Sequence, residues 1–165
     1  VPTLLRTFSF AERSRVEGLL AATAERPHER AAQRALAQEL TALVHGEGEQ
    51  RAAEAAGLAL FGQGDLAAIP PAALTAALME APNGVVEAAE VIDGALPAIE
   101  DLLVRCGLAA SKGQARRTVT EGGAYLNNER VHAEGHIPTR DDLLHGEWLV
   151  LRRGKRTVGG IRVEQ

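Results

Sequence analysis

Apolar positions follow a helical period through the first 80 residues. One run predicts a helix that ends at Gly46, because its apolar residues recur every three or four positions: Ala32, Leu36, Leu40, Leu43 and Val44. This period predicts that Leu43 and Val44 are buried. A further helix is predicted over residues 47–61, and Pro70-Pro71 begins a short one. Residues 1–82 are therefore predicted to form an all-helical domain.

Residues 83–95 are predicted to be a linker. Turn-forming residues stand at both ends, in Ala81-Pro82-Asn83-Gly84 and in Asp93-Gly94-Ala95. The apolar stretch between them, residues 85–92, is compatible with either a short helix or a short strand.

The pattern changes from residue 96 onward. A helix carrying Ile99, Leu102 and Leu103 is followed by a basic helix. Three later segments are predicted to be strands: Tyr125-Leu126, residues 148–151, by their composition, and residues 157–163. Gly159-Gly160 predicts a bulge in the last of them. Residues 96–165 are thus predicted to be two helices on a short, mostly antiparallel sheet, and the chain to be of the α+β class.

The stretch from Ser111 to Asn128 is the most informative. Ser111 can cap the start of a helix, and Lys112 and Arg116, four residues apart, share one face of it. Gly122-Gly123 ends the helix, and Asn127-Asn128 suits a tight turn. The pattern indicates a packed helix that presents cations, an arrangement suited to phosphate.

Eight cations are the candidate phosphate contacts. They are Lys112, Arg116 and Arg117 on the helix, and Arg130, Arg152, Arg153, Lys155 and Arg156 on predicted turns. Gln114 and Asn127 are candidate contacts to sugars or base edges, although the turn alone is sufficient to explain Asn127. A solvated basic surface without a ligand remains the alternative for each cation.

Net charge alone does not favour a nucleic-acid partner, since the 165 residues carry −4 at pH 7. The distribution does favour one. Residues 1–95 hold 7 Lys and Arg against 13 Asp and Glu, whereas residues 111–165 hold 10 against 7. Because salt screens charges beyond about 8–10 Å, the basic last third can bind a polyanion within an acidic chain.

The sequence offers no catalytic or metal-ligating set. Its five histidines lack a metal-ligand spacing, and no phosphate-binding Gly-rich loop occurs. The single cysteine, Cys106, excludes an internal disulfide and is expected to be a core residue. With no membrane-spanning run and no signal peptide evident, a cytoplasmic location without membrane contact is expected.

A family resemblance covers nearly the whole chain. Ile99–Val131 resembles the small RNA-binding module named after ribosomal small-subunit protein four. Leu151–Arg156 resembles the closing hairpin of the version found in bacterial tyrosyl-tRNA synthetases. Three earlier segments resemble the helical anticodon-binding region of the same enzymes, in the same order: Leu4–Phe10, His28–Arg34 and Thr41–Gly46.

This resemblance implies a function in binding tyrosine tRNA. Residues 1–82 would be the anticodon-binding domain, with four candidate residues at the start of a helix: His28, Arg30, Gln33 and Arg34. Residues 96–165 would engage the long variable arm and anticodon stem, mainly through shape and backbone.

The catalytic motifs of that family, of the His-Ile-Gly-His and Lys-Met-Ser-Lys-Ser types, do not occur here. With the start at Val1, this suggests a C-terminal piece of a ligase that is inactive alone. No cofactor is expected in this chain, and ATP and Mg²⁺ would bind only in the catalytic domain.

The full-length enzyme is expected to be a homodimer, whereas the fragment is compatible with a monomer. The alternatives are a free-standing, ribosome-associated RNA-binding adaptor and a protein-interaction domain with no RNA role.

Overall fold

A computed structural model describes residues 1–164 of the chain. The chain divides into two compact units, Val1–Ala53 and the part from Glu54 onward. The division into functional domains at residues 82 and 96 stays a prediction.

The first unit is helical. It contains α1 (Pro2–Phe8), α2 (Arg13–Glu25), a 3₁₀ turn at Pro27–Glu29, α3 (Ala31–His45) and the start of α4 (Glu47–Leu60). Its buried core is small, consisting of Leu5, Val16, Ala32 and Leu36. Gly46 ends α3 in a left-handed backbone conformation, φ 89°, as its position after the apolar run predicts.

The predicted burial of Leu43 and Val44 is wrong. Their exposed fractions are 63% and 71%. The helical period is correct, but the core ends near Leu36 with Leu40 packed against it, and α3 continues for one to two turns beyond.

The second unit combines helices with a sheet, which confirms the α+β class. Its helices after α4 are α5 (Pro71–Glu80), α6 (Ile99–Arg105) and α7 (Lys112–Thr120). Its strands are β1 (Asn83–Val86), β2 (Ala124–Leu126), β3 (Glu129–Arg130), β4 (Trp148–Arg153) and β5 (Thr157–Val163). They lie in the order β1-β5-β4-β2-β3, and only the β1–β5 pair among these is parallel.

Both faces of the sheet are covered, although the sequence predicts helices on one. Leu149 and Leu151 of β4 pack in a core with residues of α6 and α7. Trp148 and Val150 alternate with them and pack with residues of α5 and the end of α4. The physical reason is the unbroken apolar run at residues 148–151, which is typical of a strand buried on both sides. The Trp148 indole Nε1 also donates to Thr75 Oγ1 of α5 at 3.0 Å.

The segment that the sequence leaves undecided is mostly extended. It contributes to β1 and then forms a 3₁₀ turn, Ala88–Glu90. Arg105 of α6 anchors this turn, because its two terminal nitrogens lie 2.6 Å from the Glu90 carboxylate oxygens. These hydrogen bonds lower the pKa of Glu90 from 4.5 to about 2.

The bulge predicted at Gly159-Gly160 is wrong. β5 pairs in continuous register with β4, Gly160 opposite Val150 and Gly159 opposite Leu151. The glycines instead permit close packing, since a Cβ on Gly159 would lie 2.8 Å from the Pro82 carbonyl oxygen. Cys106 is buried in the core as expected, and burial raises the pKa of its thiol.

Candidate nucleic-acid interface

Helix α7 is a fixed platform for the predicted cations. Ser111 Oγ accepts a hydrogen bond from the Gln114 amide at 3.3 Å, and Gln114 Oε1 accepts one from the Ala110 amide at 2.7 Å. The first of these hydrogen bonds confirms Ser111 as the N-cap. The second shows that the side-chain carbonyl of Gln114 serves the start of the helix. The buried positions Ala115, Thr118 and Val119 anchor the opposite face, so Lys112, Arg116 and Arg117 are exposed in defined positions.

The turn between β4 and β5 carries the second group of cations. Lys155 and Arg156 are exposed in it, and Gly154 takes the left-handed conformation, φ 64°. The Gly154 amide donates to the Gly123 carbonyl at 2.7 Å, and Arg153 Nη1 donates to the Leu108 carbonyl at 3.1 Å. Because residue 123 follows α7 and residue 108 precedes it, this turn is tied to the segments that flank α7.

Two predicted turn residues lie instead in strands. Arg153 ends β4, and Arg130 is in β3. Arg130 is exposed, and its guanidinium lies against Gly122, where a Cβ would overlap it. Gly122 also has a positive φ of 69°, so its backbone conformation favours glycine, whereas the exposed Arg130 side chain can move away from a Cβ.

Arg152 is likewise not on a turn. It lies in β4, its exposed fraction is 8%, and its guanidinium carbon is 4.7 Å from the centre of the Tyr125 ring. The terminal nitrogens approach Gly62, which follows α4. Because neighbouring strand residues point to opposite faces, Arg152 and Arg153 lie on different sides of the sheet. The predicted cationic set is therefore divided.

Asn127 has a structural role that the sequence allowed as an alternative. Asn127 and Asn128 both have positive φ, 46° and 72°, as a tight hairpin turn requires. The Asn127 side chain donates to the Asp142 carbonyl at 2.6 Å and accepts from the Val150 amide at 2.9 Å. Asn128 donates to the Ala59 carbonyl at 2.7 Å.

In the first unit, the four candidate anticodon-side residues come together. His28, Arg30, Gln33 and Arg34 line one surface concavity of about 490 Å³, with Glu29 and Ala37. Arg30 has a left-handed backbone, φ 52°, at the N-cap of α3, and Arg34 Nη2 donates to the Glu29 carbonyl at 2.5 Å. Gln33 Oε1 is buried there without a hydrogen-bond partner.

The cations differ in their acidic surroundings. Lys112 Nζ lies 2.5 Å from Asp101 Oδ1 of α6. Within residues 1–164, no carboxylate forms an ion pair with Arg117, Arg153, Lys155 or Arg156. The Lys112–Asp101 pair was not predicted, because the two residues lie on different helices and no local signal joins them.

The described part of the chain holds no group of three or more His, Cys, Asp or Glu side chains arranged for a metal ion. Among its helices, none combines the length and apolar character required to cross a membrane.

The part of the chain that carries these cations resembles a known protein family. Residues 81–158, which include α6, α7 and the β4–β5 turn, match the family model described as "Tyrosine--tRNA ligase SYY-like C-terminal domain". The chain is 51% identical over 164 residues to a tyrosine--tRNA ligase of Streptomyces coelicolor. It is 54% identical over 157 residues to one of Mycolicibacterium fortuitum.

These alignments cover 99% and 95% of this chain, but 37% and 36% of the two relatives. The chain therefore spans little more than a third of the length of the curated relatives that it matches. A solved structure described as "Solution structure of tyrosyl-tRNA synthetase C-terminal domain" is 35% identical, with a TM-score of 0.46. The alignment covers 61% of this chain and 96% of the solved one.

Proposed function

We propose that this chain, which belongs to the tyrosine--tRNA ligase family as its C-terminal part, binds tyrosine tRNA for an active site outside these 165 residues. One observation carries the proposal. Arg117 of α7 and Lys155 and Arg156 of the β4–β5 turn are exposed and free of ion pairs with the other described residues. Residues 108 and 123, which flank α7, hold Arg153 and Gly154, so the cations sit on one connected framework.

This framework suits a folded RNA. Arginine offers a planar fork of donors to phosphate, and lysine offers a point charge. Both groups stand on anchored backbone rather than on a free tail, so their spacing is set before RNA arrives. Fixed cation spacing favours recognition of backbone shape, which is how structured RNA is mostly recognised.

The first unit is proposed to face the anticodon side of the same tRNA. The concavity lined by His28, Arg30, Gln33 and Arg34 supports this proposal, because it gathers donors and acceptors on one surface. The 99% coverage in the Streptomyces coelicolor alignment includes this unit. That coverage favours a ligase fragment over the free-standing, ribosome-associated adaptor.

The remaining steps are proposed for the whole enzyme. Activation of tyrosine with ATP and Mg²⁺ would take place outside this chain, in a homodimeric ligase of the cytoplasm. The chain alone is then expected to bind tRNA without forming tyrosyl-tRNA.

The test is binding of the purified chain to tyrosine tRNA, with and without its long variable arm, over a salt series. Binding that requires the arm and weakens log-linearly with salt is expected, and the slope counts the phosphates engaged. Equal affinity for any structured RNA would favour the adaptor instead. No binding at low salt would reject the proposed surface.

Charge reversal localises the surface. Arg117→Glu with Lys155→Glu is expected to weaken binding at least tenfold, because two phosphate contacts become repulsive. Arg140→Glu with Arg6→Glu is the matched control, since both arginines are exposed, lie outside the candidate set and change the net charge by the same amount. Equal losses in both proteins would indicate a general charge effect.

A further inference from the structure

The Lys112 flank of α7 differs electrostatically from the Arg117 flank. Lys112 and Arg116 line a surface concavity of about 360 Å³ with Glu100 and Asp101 of α6 and Glu134 of the loop after β3. Three carboxylates thus face two cations, whereas Arg117 is free of ion pairs among the described residues. Arg116 is likewise exposed and without an ion pair among the described residues, so Lys112 is the cation of this flank that a carboxylate already pairs with.

The three carboxylates are held in different ways. Glu100 is buried, with an exposed fraction of 5%, and Oε1 accepts a hydrogen bond from the Gly135 amide at 2.7 Å. Glu134 Oε1 accepts one from Thr120 Oγ1 at 2.7 Å. Asp101 alone among them is paired with a cation, since its Oδ1 lies 2.5 Å from Lys112 Nζ.

We propose that Asp101 is a specificity-determining residue for RNA binding. Its carboxylate stays paired with the Lys112 ammonium until a correctly placed phosphate takes the place of the carboxylate. This inference rests on the proposed function. A tRNA held by the rest of the surface brings a phosphate to Lys112 at high local concentration and compensates for the lost ion pair. An RNA that engages only part of the surface does not bring a phosphate to Lys112, and the Asp101 carboxylate then repels that RNA. Specificity is commonly achieved by such a repulsive group acting against wrong partners.

The exposure of the pair fits this role. The Lys112 side chain is 64% exposed and that of Asp101 34%, so the lysine can exchange its partner without rearrangement of the core. Exposed ion pairs are weak, and a phosphate can therefore displace the carboxylate. Like charges brought together in an interface are costly, which makes the carboxylate effective against a phosphate that does not displace it.

The test compares Asp101→Asn with the wild-type chain on two RNAs, tyrosine tRNA and an unrelated hairpin RNA of equal length. The variant is expected to bind the unrelated RNA three- to tenfold more tightly and tyrosine tRNA less than twofold more tightly. For the unrelated RNA, the slope of log affinity against log salt should steepen by about one phosphate contact. A change confined to folding would alter neither the selectivity nor this slope.

Asp93→Asn is the matched control, because Asp93 is exposed, lies outside the concavity and loses the same single charge. Asp101→Asn in a Lys112→Gln background is the second control and should leave selectivity unchanged. Circular dichroism during heating verifies that each variant folds. If Asp101→Asn leaves the selectivity as it is, or Asp93→Asn changes it equally, the inference is overturned while the proposed function stands. If the wild-type chain binds neither RNA, both are overturned.

Discussion

The guanidinium of Arg152 stacks on the ring of Tyr125, its partner across the β2–β4 pair, at 4.7 Å from carbon to ring centre. Arg152 is almost fully buried and its Nε has no hydrogen-bond partner. The aromatic face supplies the compensating interaction for this buried cation. We therefore expect Arg152 to stabilise the second unit rather than to present its charge to a ligand.

Replacing Arg152 should lower stability more than RNA affinity. Arg152→Ala removes the stack and the packing of the side-chain stem, so the free energy of unfolding is expected to fall by about 1–3 kcal/mol. Arg156→Ala, an exposed turn substitution, should change it by less than about 0.5 kcal/mol. Urea unfolding measures both variants.

The RNA arm of this experiment uses Arg152→Met, which keeps an apolar stem. Its affinity for tyrosine tRNA is expected to stay within threefold of wild type at a temperature where the variant is folded. A loss as large as that of Arg117→Glu with Lys155→Glu would show that Arg152 contacts RNA after all.

The Asn127 side chain is expected to be necessary for the hairpin. Asn127→Gly keeps the positive φ but leaves the buried Val150 amide without its acceptor, at a cost of about 1–3 kcal/mol. Asn127→Ala should cost roughly 1 kcal/mol more, because a Cβ disfavours the left-handed conformation. Denaturant midpoints of the two variants separate the hydrogen bonds from the backbone conformation. Equal stability of wild type and Asn127→Gly would refute the structural role.

Two glycines of the second unit should respond to alanine in opposite directions. Gly159→Ala places a Cβ 2.8 Å from the backbone oxygen of Pro82, and the backbone cannot yield cheaply, so a loss of about 1–3 kcal/mol is expected. Gly113→Ala in α7 meets nothing nearer than Ser111 Oγ at 3.9 Å. It should stabilise the chain by up to about 1 kcal/mol, because alanine favours the helix. Thermal unfolding of both variants tests the packing, and a stable Gly159→Ala protein would contradict it.

Local signals predicted the parts of the fold that depend on neighbours in sequence. Ser111 is the cap, Ala115 and Val119 are buried, and Asn127-Asn128 forms the turn, because each depends on residues within one helical turn or one hairpin. The sheet order and the second covered face needed tertiary information. The sequence of α5 predicts a short helix, but no pattern in it indicates that the helix packs against β4.

The candidate interface was predictable to the same extent. The cations of α7 follow from helical spacing. The burial of Arg152 does not, because Tyr125 and Gly62 reach it only through strand pairing and the position of α4. The Asp101–Lys112 pair likewise joins two helices. For Leu43 and Val44 the period gave the correct face of α3, but a period carries no information about where the core ends.

The Glu90–Arg105 pair predicts a specific pH dependence. The pKa of Glu90 is about 2 in the folded chain, against an ordinary value of 4.5. A depressed folded pKa means that the stabilisation is fully present above pH 4.5 and is lost as the pH falls from 4.5 towards 2. Wild type should therefore lose stability over this window more steeply than Glu90→Gln, and the two urea-midpoint curves should converge at its acid end. Glu164→Gln, an exposed site without an ion pair among the described residues, should follow the wild-type curve. Parallel curves for wild type and Glu90→Gln between pH 5 and pH 2 would show that the pair does not couple protonation to folding.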